Sequence, residues 1–141
     1  MLAVGEEVLR TYGLSRPKIR HLKSIAAAID TGALNLDRIA AASLEDARKE
    51  LLAVKGIGPW TAELFLLYAL GEMNAFPTAD VGLMEAHKQL SHATDRMDAK
   101  TFSQHAEKHW QPYRGVAAHL LWRWLNVQRA KKDAAKLQGS S

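Results

Sequence analysis

The chain has 141 residues, length for one ordinary domain, and 48% of them are apolar, which permits a packed core and argues against wholesale disorder. Lys plus Arg number 19 against 15 Asp plus Glu, so the formal net charge is +4 and its sign favours an anionic partner such as nucleic acid. With no cysteine, the composition excludes a disulfide framework, a thiolate zinc site, a cysteine-ligated iron–sulfur cluster and a cysteine nucleophile.

Helical periods dominate, and Gly and Pro fall mainly at the joins. A short helix is predicted from Glu6 to Tyr12, stopped by Gly13. Ser15 is then an N-cap and Pro17 sits in the first turn of a second helix, on which Ile19, Leu22, Ile25, Ala26 and Ile29 form one apolar stripe ending near Gly32. A brief helix over Asp37 to Ala42 follows. Ser43 opens another, with Asp46 three residues on as a variant capping box. That helix stops at Val54-Lys55-Gly56-Ile57-Gly58-Pro59, and Pro59 starts the next, which ends by Gly71. Met73 to Ala79 reads as an extended connection containing Pro77. Helices are then expected over Asp80 to Leu90, Lys100 to Trp110 and Val116 to Lys132. No segment alternates convincingly with period two. The fold class is therefore all-α, about seven helices, with residues 1–136 as one domain and 137–141 as a disordered tail. No apolar run approaches the roughly 20 residues that span a bilayer, and the N-terminus lacks the pattern of a secretory signal. A cytoplasmic, intracellular protein without a membrane is expected.

The segment from Leu51 to Leu64 is the most informative. Two helices are joined by a very short turn built on Gly56 and Gly58, residues that permit positive φ and close backbone approach. The turn feeds a helix N-terminus, where unpaired N–H groups and the helix dipole suit a phosphate, and Lys55 adds a charge beside them. Ile57, between the glycines, is read as a plug that locks the two helices. Backbone contacts to phosphate position DNA without reading its sequence.

With Val-Lys before the glycines and Pro-Trp-Thr-Ala after them, this segment resembles the helix–hairpin–helix of the DNA glycosylase superfamily whose name also records a Gly/Pro-rich loop and a catalytic Asp. The resemblance implies that Lys55, Gly56, Ile57 and Gly58 grip DNA. It further implies that backbone carbonyls of Leu52, Val54 and Ile57 hold a structural monovalent cation, Na+ or K+, with no cofactor required for the reaction.

The superfamily's catalytic Asp follows an extended, proline-containing loop, and Phe76-Pro-Thr-Ala-Asp80-Val-Gly-Leu83 fits that arrangement. Read without the hairpin, Asp80 is an ordinary N-cap. The two roles are compatible, because a carboxylate can stabilise the cationic sugar that forms as a glycosidic bond breaks and can orient the attacking water. Asp95 and Asp98 are weaker candidates in a polar loop.

Trp60 occupies the position at which bifunctional members carry a nucleophilic lysine. A Trp cannot form a Schiff base, so the resemblance implies a monofunctional enzyme that uses water. The strongest likeness is to 3-methyladenine DNA glycosylase II, through the hairpin, Asp80 and the stretch from Trp110 to Trp122. In that branch Trp residues at the positions of Trp60 and Trp122 line the base pocket, while Leu64 falls where the family has a further aromatic residue. Trp124 is assigned to the core. His105 and His109 lie four apart on a helix, but with no third ligand at suitable spacing a solvated or capping role is expected.

The resemblance runs from about Leu2 to Asn126 and enters the family pattern partway, so an N-terminally truncated chain is expected, with apolar faces exposed and activity reduced or absent. The expected partner is double-stranded DNA with a damaged base, bound by a monomer. The rival readings are a non-catalytic helix–hairpin–helix DNA-binding module, an inactive glycosylase fragment, and a purely structural helical protein.

Overall fold

The computed structural model describes residues 3–138. Among these, eight helices and no strand are found: α1 (Glu6–Thr11), α2 (Arg16–Asp30), α3 (Leu36–Ala41), α4 (Leu44–Ala53), α5 (Pro59–Tyr68), α6 (Val81–Leu90), α7 (Ala99–Trp110) and α8 (Arg114–Gln138). The all-α class is as expected, with eight helices rather than about seven. Two compact units divide the chain, Met1–Leu70 and Gly71–Ser141.

In the first unit α1 packs on α2, α3 on α4, and α4 on α5. Leu9, Ile19, Leu34, Ile39, Leu51 and Leu66 are buried. The apolar stripe of α2 is sealed at Ile19 but open at Ile29, which is 46% exposed on the rim of an apolar groove also lined by Ile25, Leu34 and Phe65. Periodicity names the apolar face of a helix; it does not say how much of that face is covered. The caps are local. Asn35 accepts from the Arg38 N–H at 2.9 Å. Ser43 Oγ accepts from the Asp46 N–H at 3.2 Å and donates its own proton to the Asp46 carboxylate at 2.7 Å. Ser15 holds the N-cap position of α2 but makes no side-chain cap bond.

In the second unit α8 is the spine, with α6 and α7 packed against it. The core is Phe76, Leu83, Met84, Phe102, Leu121 and Leu125 with small residues between, and Trp110, Trp122 and Trp124 pack around it partly buried. The last helix begins at Arg114 and runs to Gln138, beyond the Lys132 expected from sequence. Ala134, Ala135, Lys136 and Leu137 are strong helix formers, and the next breaker is Gly139. Of the segment 137–141 predicted to be disordered, Leu137 and Gln138 are helical and residues 139–141 lie outside the described ones. No helix among the described residues is long and apolar enough to cross a membrane.

His105, expected to be solvated or capping, is instead partly buried, whereas His109 is exposed. The Nε2 of His105 lies 3.2 Å from Nε2 of His87 on α6; the His87 ring sits edge-on to Phe102 and tilted to Trp110, and the His105 ring sits edge-on to Trp110. No group of three metal-binding side chains exists among the described residues. Burial pushes both histidines below the usual imidazole range, and the neighbouring His87, His109 and Lys108 push His105 further down. Because the folded state disfavours their protonated forms, they contribute stability above the unfolded value near 6.5, and that contribution is lost as pH falls below it. Thermal denaturation should therefore show Tm falling as pH drops below about 6.5, with the fall blunted in a His87→Gln, His105→Gln double variant. Identical pH dependence in that variant would assign the effect elsewhere.

Candidate functional site

The hairpin is built from local constraints. α4 ends at Ala53, Val54 caps it, and the Ile57 N–H closes the turn on the Val54 carbonyl at 3.0 Å. Gly56 has φ +104, and a Cβ there would lie 3.1 Å from Cα and 3.3 Å from the carbonyl oxygen of His21 on α2. Both the left-handed backbone and the close approach require glycine. Gly58 differs from expectation. Its φ is −93, ordinary extended backbone, and a Cβ would meet nothing within 4 Å. What Gly58 supplies is an open face in front of α5, a ten-residue helix that begins without a side-chain cap. Lys55 is exposed beside it, while Ile57, expected from sequence to plug the space between the helices, is half-buried and lines the apolar groove with Leu51 and Phe65. A feature the sequence did not suggest braces the hairpin: Arg48 of α4 forms a two-pronged ion pair with Glu63 of α5, its Nη2 lying 3.3 Å from Oε2. Trp60 stands in the first turn of α5, 47% exposed.

In the second unit the extended connection is strapped to the start of α8. Arg114 Nε donates to Asn74 Oδ1 at 2.8 Å, the Gly115 N–H donates to the Met73 carbonyl at 2.7 Å, and Ala75, Phe76 and Pro77 are buried. The connection therefore delivers Asp80 to one place. Asp80 is the N-cap of α6, as predicted, and its Oδ1 accepts from the Leu83 N–H at 2.8 Å. The same oxygen accepts from the indole Nε1–H of Trp122 at 3.3 Å. Asp80 and Trp122, 42 residues apart, are thus brought together, and both are partly exposed. Gly82 permits the meeting: a Cβ there would lie 3.0 Å from Asp80 Oδ1, 3.4 Å from Leu125 Cδ2 and 3.9 Å from Trp122 Cδ1.

The roles of Gly82, Arg48 and Arg114 are not legible in the sequence, because each depends on a partner in another element. Asp98 is confined to a local task, capping α7 through the N–H groups of Lys100 and Thr101, both at 2.9 Å. Those bonds hold its carboxyl below the usual range, the Thr101 amide first.

No family model matches the chain. YfjP of Bacillus subtilis, a protein of DNA-3-methyladenine glycosylase designation, is 36% identical over 82% of this chain, which spans 40% of YfjP. The crystal structure of a DNA-3-methyladenine glycosidase from Bacillus halodurans matches with TM-score 0.68 and 32% identity, covering 87% of this chain and 56% of its own. The Schizosaccharomyces pombe 3-methyladenine DNA glycosylase in complex with abasic DNA matches with TM-score 0.80 and 29% identity, covering 86% of this chain and 59% of its own. The chain is a homologue of the DNA-3-methyladenine glycosylases and has the helix–hairpin–helix glycosylase fold over most of its length. It spans between 22% and 51% of the length of the curated relatives at least 30% identical to it.

The two hairpin glycines should separate in a mutational test. Gly56→Ala forces an unfavourable φ and a backbone clash and should cost about 1–3 kcal/mol in denaturant unfolding. Gly58→Ala should change stability by less than about 0.5 kcal/mol, so any loss of DNA affinity in that variant reflects the filled space before α5.

Proposed function

We propose that this chain, as a homologue of the DNA-3-methyladenine glycosylases, works in base-excision repair as a monofunctional glycosylase acting on alkylated purines such as 3-methyladenine. The observation that carries the reading is the bond between Asp80 and Trp122. Sequence resemblance assigns one of these residues to the chemistry and the other to the base pocket, independently of each other. Their meeting on one oxygen atom supports a common site.

On this reading the hairpin of the first unit holds the phosphate backbone of duplex DNA through N–H groups near Gly56 and Gly58, with Lys55 adding charge. The damaged nucleotide rotates out of the stack. Alkylated purines carry positive charge, so the indole faces of Trp60 and Trp122 are each suited to receive them, with a cation–π contribution of roughly 0.5–2 kcal/mol. Cleavage breaks the bond between the base nitrogen and C1′, and the cationic base leaves neutral. The Asp80 carboxylate stabilises the developing positive charge on the sugar. Water attacks C1′ and gives up its proton to Asp80. The chain has no lysine at the position of Trp60, so the product is an abasic site rather than a cleaved strand. The partner is damaged double-stranded DNA, bound by a monomer inside the cell.

We also propose that the carbonyls of Leu52, Val54 and Ile57 hold Na+ or K+. Neutral backbone oxygens form a hard donor set, and the Val54 carbonyl is turned into the hairpin, where it accepts from the Ile57 N–H and retains a second lone pair. The ion's contribution there is structural, stiffening the turn beside the phosphate.

A single-turnover excision assay on methylated duplex DNA tests the reading. The wild-type chain should release methylated base, and Asp80→Asn should lose on the order of 10²–10³-fold in rate while binding abasic duplex as before. Lys55→Ala should weaken binding and lower the slope of log affinity against log salt by about 1. DNA binding without any release by the wild type would leave a non-catalytic helix–hairpin–helix module instead.

A further inference from the structure

We infer that Trp122 is a positioning residue for Asp80: its indole N–H orients the carboxylate plane at the head of α6, and Gly82 keeps the space in which this orientation is reached. The inference rests on the glycosylase reading of Asp80 and adds to Trp122 a role distinct from stacking a base. Stacking uses the face of the indole, whereas this contact uses its edge.

Three distances carry the argument. Oδ1 of Asp80 takes the Leu83 N–H at 2.8 Å, an ordinary N-cap bond. An N-cap bond fixes one oxygen against the first turn, but by itself it does not set the carboxylate plane about that contact. The second donor, Trp122 Nε1–H at 3.3 Å, comes from α8 and approaches the same oxygen from another element. Two donors in fixed positions define an orientation that one does not. The third distance shows the cost of filling the space, since a Cβ on residue 82 would press to 3.0 Å of Oδ1. Such a contact is closer than side-chain carbons and oxygens normally approach, so an alanine would displace the carboxylate from its shared position. Leu125 Cδ2, at 3.4 Å from the same point, stands close on the α8 side.

Orientation matters because the carboxylate must face a sugar carbon whose charge exists only as the bond breaks. A misplacement of about 1 Å can cost on the order of a hundredfold in rate. Loss of one orienting bond, with the N-cap bond intact, is a smaller disturbance.

The test uses Trp122→Phe, which retains an aromatic face and removes the N–H. Single-turnover excision of methylated base should slow by about tenfold, with affinity for abasic duplex unchanged. Gly82→Ala should slow excision in the same way with the indole intact. An independent readout is the Trp122 indole cross-peak in a ¹H–¹⁵N correlation spectrum, one of four such peaks, identified by its disappearance in Trp122→Phe. It should move upfield in Asp80→Ala as its acceptor is lost. An unmoved peak, or an excision rate for Trp122→Phe within twofold of an active wild type, overturns the positioning role alone. A wild type that releases no base overturns the glycosylase reading, and this inference with it.

Discussion

One carboxylate oxygen organises the second unit at its chemically interesting end. Asp80 Oδ1 receives a backbone donor from its own helix and an indole donor from α8, so the start of α6 is tied to the middle of the longest helix. The tie exists because residue 82 has no side chain and because the preceding connection is strapped by Arg114 and Gly115 to the first turn of α8. The N-cap bond is local to residues 80 and 83, whereas the strap sets where the capped end of α6 lies against α8. Fill the space at residue 82 and the acid is pressed away from the edge of the indole. An N-cap is ordinarily a helix-stabilising device worth about 1 kcal/mol. Here the same bond also holds an acid partly open to solvent.

The first unit solves a different problem, that of bringing two helices together around a turn short enough to present backbone amides. Gly56 does this by a left-handed φ and by lying against the backbone of α2 at His21. Arg48 and Glu63 then pair between α4 and α5, and Ile57 lines an apolar groove with Leu51 and Phe65. The polar outer side and the apolar inner side of the turn divide the labour. Lys55 and the open face at Gly58 are turned to solvent, while Ile57 belongs to the groove.

The histidines show that sequence spacing finds neighbours along one helix and misses those contributed by another. His105 and His109 are one helical turn apart, and spacing alone makes them a pair. The Nε2 of His105 nevertheless lies 3.2 Å from that of His87 on another helix. The three rings with Trp110 and Phe102 form an aromatic wall in which burial disfavours the protonated forms of His87 and His105. Trp124, placed in the core from sequence, does pack partly buried on that side of α8.

Much of this protein is written in short-range features of the chain. The helix positions, the cap residues Ser43 and Asp80, the hairpin glycines, the missing cysteines and the Trp in place of a lysine are visible in the sequence, because each concerns residues within a turn of one another or a residue type alone. Helix ends are less secure, as α8 shows, since a helix built of good formers stops only where something breaks it. Which of two glycines bears the strain, why residue 82 is small, and which indole meets the acid were decided by tertiary packing. Those relations join residues tens of positions apart, and no periodicity or spacing encodes the distance between two helices once they have packed.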